Sequence, residues 1–185
     1  MKFWTMLCFV LLSFTVLAQH TEPKQAGVLE YLDEIILRKS ASPLILLPGG
    51  IPVDSLISYS KKYIGTPYRY GGRTDKGFDC SGFVMHVYNQ FGIKLPPSSR
   101  TQVNVGNPVP IDSVRKGDLL FFKGRNLKST TIGHVAIVVD VEPETRDVLM
   151  IHSTTRGGLR LDWLFKEDYY RRRYVTSRRL SVERQ

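Results

Sequence analysis

Apolar residues repeat with the 3.6-residue period of an α-helix in three segments of the first half of the chain. The first segment, residues 27–40, predicts a short amphipathic helix. The second begins at Asp54, which we interpret as its N-cap, and ends at Gly65. The third begins at Cys80 and ends at Gly92, a residue type that often terminates helices. We therefore expect three helices before the first long strand.

Turn-forming residues separate these predicted helices. Residues 43–50 form an apolar run that is closed by proline and two glycines, and we expect a connector that packs on the main domain. Residues 65–72 contain too many turn-forming residues for any regular element. The second stretch is therefore predicted to be irregular.

The second half of the chain has the composition of strands. A turn at Gly117 and Asp118 is expected to lead into a strand over residues 119–122. Residues 133–140 and 148–153 are rich in β-branched and aliphatic side chains, and the polar link between them predicts a hairpin. The pattern thus predicts helices first and antiparallel strands afterwards.

The register of this hairpin decides where two histidines point. If pairing is centred on Glu144, His134 lies opposite Thr154 and Ala136 lies opposite His152. Both imidazoles would then project from one face of the sheet, as diagonal neighbours. A slip of one residue would put them on opposite faces.

An arginine-rich segment, residues 169–179, lies near the end of the chain. One interpretation is a nucleic-acid patch. We favour a solvated edge strand that closes the sheet, whose arginines discourage pairing with other molecules, and we expect no nucleic-acid partner. The net charge of +9 also suits attraction to an anionic wall or membrane surface.

Residues 1–18 have the features of an export signal: one positive charge, an apolar run, and small residues at the positions of a cleavage site. Cleavage after Ala18 predicts a periplasmic or extracellular protein. Lys2 is the one charged residue in the segment removed, so the net charge of the mature protein would be +8. Cys8 lies inside the apolar run and no cysteine follows the cleavage point directly, so we do not expect a lipoprotein. The alternative is a retained membrane anchor, because about 20 apolar residues span a bilayer.

Cys80 is then the one cysteine of the mature protein. A lone thiol outside the cell has no internal disulfide partner and is exposed to oxidation, so we interpret Cys80 as a nucleophile. It lies in the first turn of a predicted helix, where free amides favour a thiolate. Asp79 is expected to cap this helix, and its negative charge opposes the thiolate. A neighbouring imidazolium would supply the missing positive charge.

The four histidines differ in their suitability as this partner. His20 lies in the tail after the cleavage site, and His86 points away from Cys80 on the same helix. We therefore assign His134 as the base and His152 as the group that orients it. A zinc site of Cys80, His134 and His152 is the alternative, but the usual closely spaced ligand pairs are absent, so we expect no metal and no cofactor.

Five blocks of sequence in this order resemble the NlpC family of papain-like cysteine peptidases of bacterial cell walls. They are residues 63–72, 77–84, 91–96 and 116–122, and then Gly133-His134-Val135 followed by His152. The resemblance covers about residues 54–181 and implies an α+β fold. In that fold, N-terminal helices carrying the nucleophile pack on an antiparallel β-sheet carrying the histidines. It divides the chain into a signal peptide (1–18), an N-terminal extension (19–53), the peptidase domain (54–181) and a tail (182–185).

The resemblance also implies roles for individual residues. Cys80 would be the nucleophile, His134 the general base and acid, and His152 the third polar residue. Tyr68 matches the family tyrosine near the oxyanion site. Four further residues match positions that often contact substrate: Asp79, Ser81, Ser99 and Arg100.

The implied activity is hydrolysis of amide bonds in the stem or cross-link peptides of peptidoglycan, through a thioester and by a monomer. Two alternatives remain open. One is a wall-binding or scaffolding module that keeps the fold without turnover, and the other is an amidase or acyltransferase acting on a different substrate.

Overall fold

The computed structural model describes residues 45–180. The predicted signal peptide, the predicted helix over residues 27–40 and the tail lie outside the described residues. Within residues 45–180, every helix is too short or too polar to cross a membrane.

A small hairpin opens the described chain. Strands β1 (Leu46–Leu47) and β2 (Ile51–Pro52) pair in antiparallel fashion around a 3-10 turn at Pro48–Gly50. Ile45, Leu47 and Ile51 contact the main core, because their apolar side chains point inward. The prediction that this stretch packs on the main domain is confirmed for the part that is described.

The first described helix, α1 (Val53–Lys61), begins two residues earlier than an N-cap at Asp54 predicts. Its N-cap is Pro52, and Asp54 lies in the first turn, so the assignment of Asp54 as the N-cap was wrong. The Asp54 carboxylate instead pairs with Lys116 Nζ at 3.2 Å. Val53, Leu56 and Ile57 are buried against the core.

The second helix, α2 (Cys80–Gln90), follows a short hairpin of β3 (Arg73–Thr74) and β4 (Gly77–Phe78). Asp79 caps α2 as predicted, since its Oδ1 accepts a hydrogen bond from the Gly82 amide at 2.6 Å. Gly92 ends the helical segment with a φ of 75°, a conformation that glycine adopts without strain. Cys80 is therefore the first residue of a well-capped helix.

Six strands form one antiparallel sheet in the order β5-β10-β6-β7-β8-β9. Their bounds are β5 Asn107–Val109, β6 Leu119–Lys123, β7 Ile132–Val141, β8 Val148–Thr154, β9 Gly158–Trp163 and β10 Tyr174–Arg179. Of two short helices, α3 (Ser99–Gln102) precedes β5 in the chain and α4 (Asp168–Arg171) lies between β9 and β10.

The arginine-rich strand β10 is not an edge strand, and that prediction was wrong. It lies between β5 and β6, because β5 pairs with its far side through residues 107–109. One of its arginines is used internally: Arg179 Nε and Nη2 donate to the two carboxylate oxygens of buried Asp118 at 2.8 and 2.7 Å. The ion pair fixes β10 beside the turn that precedes β6.

Successive side chains along each strand point to opposite faces of the sheet, and a hydrophobic core lies on each face. Phe121, Val135 and Ile151 belong to the core that also contains α1 and α2. Phe122 and Met150 belong to the core on the opposite face, together with Tyr170 of α4. His134 and His152 lie at the same parity as Phe122 and Met150, so they belong to the face opposite α2.

The register of the β7–β8 hairpin agrees with the prediction near the histidines. Ile137 pairs with Ile151 and Val138 with Met150, which is the register centred on Glu144. A bulge between Val138 and Asp140 shifts the rest of the hairpin by one residue, but it lies on the far side from the histidines.

Candidate active site

Cys80 reaches the histidines because the sheet opens where α2 meets it. Pairing between β7 and β8 ends, in the direction of the site, at Ile137 and Ile151. Beyond this point, the Val135 amide donates to the Cys80 sulfur. The Ser153 hydroxyl donates to the Phe78 carbonyl at 2.7 Å, two residues before Cys80. The start of α2 therefore packs against the ends of both strands, where Cys80 and His134 line the same cavity.

The two predicted histidines are in direct contact. His134 Nε2 lies 2.7 Å from His152 Nδ1, and the rings are inclined at 74° to each other. The second nitrogen of His152, Nε2, lies 2.9 Å from Oδ2 of Asp162. A chain of hydrogen bonds thus runs from His134 through His152 to a buried carboxylate.

This chain determines which nitrogen of His134 carries its proton. An ionised carboxylate only accepts hydrogen bonds, so His152 Nε2 carries a hydrogen and donates it to Asp162. In neutral His152, Nδ1 is then an acceptor, and it takes the hydrogen of His134 Nε2. The lone pair of His134 is consequently on Nδ1, the nitrogen not used by His152.

Three donors hold the Asp162 carboxylate in its ionised form. His152 and the Tyr170 hydroxyl bond to Oδ2, at 2.9 and 3.0 Å, and Arg160 bonds to Oδ1 at 2.5 Å. Burial alone would raise the pKa of Asp162, but these hydrogen bonds hold it below the ordinary value. Asp162 is therefore a charged acceptor over the working range of pH.

The pKa shifts of the thiol and of the imidazole both favour the uncharged forms, whereas the sequence suggested an imidazolium beside a thiolate. Burial and the negative charge of Asp79 raise the pKa of Cys80 to about 11, although nearby backbone amides oppose the rise. Burial and the adjacent His152 hold the pKa of His134 well below its ordinary value, and the charge of Asp162 offsets only part of this. Burial outweighs the helix amides at Cys80, which is 9% exposed, and it also acts on the half-buried His134.

Two cavities meet at the Cys80 sulfur. We call the first the histidine cavity, with a volume of about 210 Å³; Cys80, His134 and Tyr68 line it. The second, the serine cavity, has a volume of about 350 Å³ and is lined by Cys80, Tyr68 and the serines at 81, 98 and 99. An extended ligand that lies across the thiol would occupy both.

Sequence reasoning placed most of its candidate residues around these cavities. The serine cavity contains Cys80 together with all five predicted binding residues: Tyr68, Asp79, Ser81, Ser99 and Arg100. His134 lines the histidine cavity, and fully buried His152 lies behind it. The roles of these residues in binding and catalysis stay predictions.

Asp79 has structural partners that account for much of its hydrogen-bonding capacity. Its Oδ1 accepts from the Gly82 amide at 2.6 Å and from the Ser81 hydroxyl at 3.0 Å, and its Oδ2 accepts from the Gly71 amide at 2.9 Å. These bonds join α2 to the irregular loop over residues 65–72. The carboxylate therefore positions Tyr68 and Cys80 relative to each other.

Asp162, Arg160 and Tyr170 were missed by sequence reasoning. The signal for the first two was present, because Leu159, Leu161 and Trp163 alternate with polar residues after two glycines. That alternation predicts a further strand paired with β8. Its observed register places Arg160 opposite His152, and Asp162 on the same face. Nothing in the local sequence indicated that Tyr170, on α4, would reach Asp162.

The zinc alternative has no geometric support in the described part of the chain. Within residues 45–180, no three His, Cys, Asp or Glu side chains are grouped to hold a metal ion. The facing nitrogens of His134 and His152 bond to each other, and the remaining nitrogen of His152 bonds to Asp162. That the protein works without a metal stays a prediction.

Known proteins are similar to this chain in both sequence and fold. The chain is 33% identical to the gamma-DL-glutamyl hydrolase of Bacillus subtilis over 70% of its own length and 30% of that protein. It is 35% identical to the murein DD-endopeptidase MepS/murein LD-carboxypeptidase of Escherichia coli, over 63% of this chain and 56% of that one. A crystal structure of a NlpC/P60 family protein from Bacillus cereus superposes with a TM-score of 0.61 and 32% identity, covering 69% of this chain and 39% of the other.

A helix that begins with a cysteine, packed on an antiparallel sheet that carries two histidines, defines a papain-like α+β fold. A sequence model of the NlpC/P60 family matches residues 65–179. The chain belongs to the NlpC/P60 family. It spans 30% of the length of the first curated relative above and 56% of the second.

Proposed function

We propose that this protein is a peptidoglycan peptide hydrolase, an endopeptidase that uses Cys80 as its nucleophile. The observation that carries the proposal is the position of the Cys80 sulfur. It lies in a cavity that Cys80 shares with His134, whose ring is held by His152 and Asp162. A cysteine and a base oriented by a third group are the arrangement that nucleophilic catalysis requires.

The reaction begins from the uncharged pair. As the Cys80 sulfur attacks the amide carbonyl, its proton moves to Nδ1 of His134, and the negative charge develops on the carbonyl oxygen. The His134 imidazolium then gives this proton to the amine as the carbon–nitrogen bond breaks, which leaves a thioester on Cys80. A water molecule, deprotonated by His134, hydrolyses the thioester, and the proton returns to the sulfur.

Tyr68 is suited to stabilise the charge on the carbonyl oxygen. It is half-buried and lines both cavities, next to the sulfur. Burial raises the pKa of its hydroxyl, as do the ionised form of Cys80 and the charge of Asp79, so this group keeps its proton at neutral pH. A protonated hydroxyl donates a hydrogen bond to the oxyanion, together with the Cys80 amide at the start of α2.

The substrate class rests on the relatives and on charge. A relative that is 35% identical acts, by its name, as a murein DD-endopeptidase, and another as a gamma-DL-glutamyl hydrolase. The net charge of +9 suits a substrate and a surface that are rich in carboxylates. Export directed by residues 1–18 would bring the protein to the wall, in the periplasm or outside the cell.

The test is digestion of purified peptidoglycan with the full chain and with its Cys80→Ala variant, followed by mass spectrometry of the soluble products. We expect new peptide termini only in the sample with Cys80. Binding of both proteins to the wall is measured by co-sedimentation. Equal binding with no Cys80-dependent product would favour the scaffolding alternative and contradict the proposed hydrolase.

A further inference from the structure

The position of His134 determines which cavity receives the leaving group of the substrate and which receives the acyl group. In amide cleavage the general acid protonates the departing nitrogen, so this nitrogen must lie on the imidazole side of the sulfur. His134 lines the histidine cavity, whereas the residues around the serine cavity do not include it. The leaving group therefore occupies the histidine cavity, and the acyl group occupies the serine cavity.

The histidine cavity has an unbalanced charge. Lys123, Arg125 and Arg173 line it, and its lining contains no aspartate or glutamate. Within residues 45–180, none of these three cations forms an ion pair with a carboxylate. This contrasts with Arg160, Arg171, Arg172 and Arg179, each of which pairs with an aspartate.

Arg173 is held in place by contacts that leave its charge unneutralised. Its guanidinium carbon lies 3.7 Å from the centre of the Tyr169 ring, and Nη1 donates to the Tyr169 carbonyl at 3.1 Å. Its Nε is buried and has no hydrogen-bond partner among residues 45–180. Because Tyr169 is uncharged, its contacts leave the positive charge of Arg173 available to an anionic ligand in the cavity.

The other two cations lie at and just after the end of β6, beside Arg173, because the Lys123 amide donates to the Arg173 carbonyl at 2.7 Å. Lys123 is the last residue of β6, and its Nζ donates to the Leu127 carbonyl at 3.0 Å. Arg125 is exposed, two residues further on, and also lines a neighbouring hollow that Arg100 shares. An anionic group in the cavity would therefore lie near a cluster of three cations.

We propose that the histidine cavity binds a free carboxylate on the leaving residue, so that the protein prefers to cleave next to an amino acid whose carboxyl group is neither amidated nor peptide-linked. The inference rests on the proposed function, because it assigns the two cavities to the two sides of a scissile amide. Arg173 is the main contact, as a planar guanidinium binds a carboxylate through two parallel hydrogen bonds.

The test measures binding apart from turnover. The full chain carrying Cys80→Ala is titrated with a stem tripeptide whose third residue is diaminopimelic acid, and with the same tripeptide whose third-residue carboxyl groups are carboxamides. We expect the free acid to bind about tenfold more tightly, because hydrogen bonds to charged groups are the stronger ones. Binding of the two within twofold, or no binding of the free acid, would overturn the inference.

Substitutions of the lining arginines test which of them produces the preference for the free acid. Arg173→Gln, added to Cys80→Ala, should reduce the preference for the free acid to within about twofold, and Arg125→Gln should reduce it partly. Arg172→Gln is the matched control, since Arg172 is the adjacent arginine in sequence but pairs with Asp168 and does not line the cavity. A preference that survives Arg173→Gln and Arg125→Gln would also count against the assignment.

The two proposals fail in different ways. If the wall digest shows Cys80-dependent products but the acid and amide tripeptides bind equally, the hydrolase stands and the carboxylate site is wrong. If the free acid binds tenfold more tightly but Cys80→Ala changes no product, the binding site stands and catalysis is wrong.

Discussion

Nε2 of His152 lies 2.9 Å from Oδ2 of Asp162, inside the fold. This contact extends the histidine pair into a chain of three polar groups behind the thiol. Its consequence is chemical, because an acceptor that holds a charge fixes the proton on His152 and thereby directs the lone pair of His134 away from His152. In the proposed reaction, Asp162 is thus a positioning residue, which acts through two imidazoles.

Replacing Asp162 by alanine should lower kcat/KM by about tenfold or more, since the base loses its fixed tautomer. The pH profile should change as well. The negative charge of Asp162 raises the pKa of His134 and so partly offsets burial. Without it the pKa of His134 falls further, and the acidic limb of kcat/KM moves to lower pH.

The control for this prediction is Asp140→Ala, which removes an exposed carboxylate from the same sheet. It should leave both kcat/KM and the pH profile unchanged. A loss of activity in Asp162→Ala with the acidic limb in its original position would indicate a purely structural role, and would contradict the proposed chain.

The raised pKa of Cys80, about 11, predicts slow alkylation at neutral pH. Because only the thiolate reacts, the rate with iodoacetamide should rise about tenfold for each pH unit between pH 8 and 10. The modification is followed at Cys80 by peptide mass mapping, because Cys8 also carries a thiol. A rate that levels off below pH 9 would contradict the uncharged resting pair.

Asp79→Asn should make Cys80 react faster at pH 8. The substitution removes a negative charge that raises the thiol pKa, whereas asparagine remains a good N-cap for α2. We expect a two- to tenfold increase, about one pKa unit at most. Asp75→Asn, on the neighbouring exposed turn, is the matched control. An equal or slower rate in Asp79→Asn would mean that Asp79 does not act on the sulfur.

Much of the candidate site was predictable because its parts depend on local patterns. The N-cap at Asp79, the helix from Cys80 and the register that joins His134 to His152 all follow from residues close in sequence. Predicting the position of Asp162 required one further hairpin, between β8 and β9, and the alternation of apolar and polar residues in β9 was present in the sequence. The protonation states were not predictable, because burial, which sets both shifts, is a property of the assembled fold.

The position of β10 shows the limit of local reasoning about strands. Its arginines suggested an exposed edge, but β5, a three-residue strand containing a proline, covers that side. A segment this short and irregular has no clear hydrophobic period. The pairing of Arg179 with Asp118 joins residues 61 positions apart, and such contacts leave no mark in either local sequence.

Tyr68→Phe should lower kcat by about a hundredfold and change KM little, because an oxyanion donor acts mainly in the transition state. Tyr70→Phe is the control: this tyrosine also lines the serine cavity but is 91% exposed. Steady-state kinetics on a stem peptide identified by the wall digest provides the measurement. An equal effect of the two variants, or a change confined to KM, would assign Tyr68 to substrate packing.

The buried ion pair between Asp118 and Arg179 should contribute more to stability than the exposed pair between Asp54 and Lys116. The Asp118 side chain is 2% exposed, compared with 72% for Asp54. Asp118→Asn leaves Arg179 without its charged partner at the junction of β6 and β10, and should lower the free energy of unfolding by about 3 kcal/mol. Asp54→Asn should lower it by less than about 1 kcal/mol.

Urea denaturation of the full chain, followed by tryptophan fluorescence, measures both values. Asp118→Asn should also leave the alkylation rate of Cys80 unchanged in the folded protein, because Asp118 is not among the groups that shift the pKa of that thiol. Equal losses of stability in the two variants would mean that β10 is held by its backbone pairing alone, and that the Arg179 contact adds nothing to it.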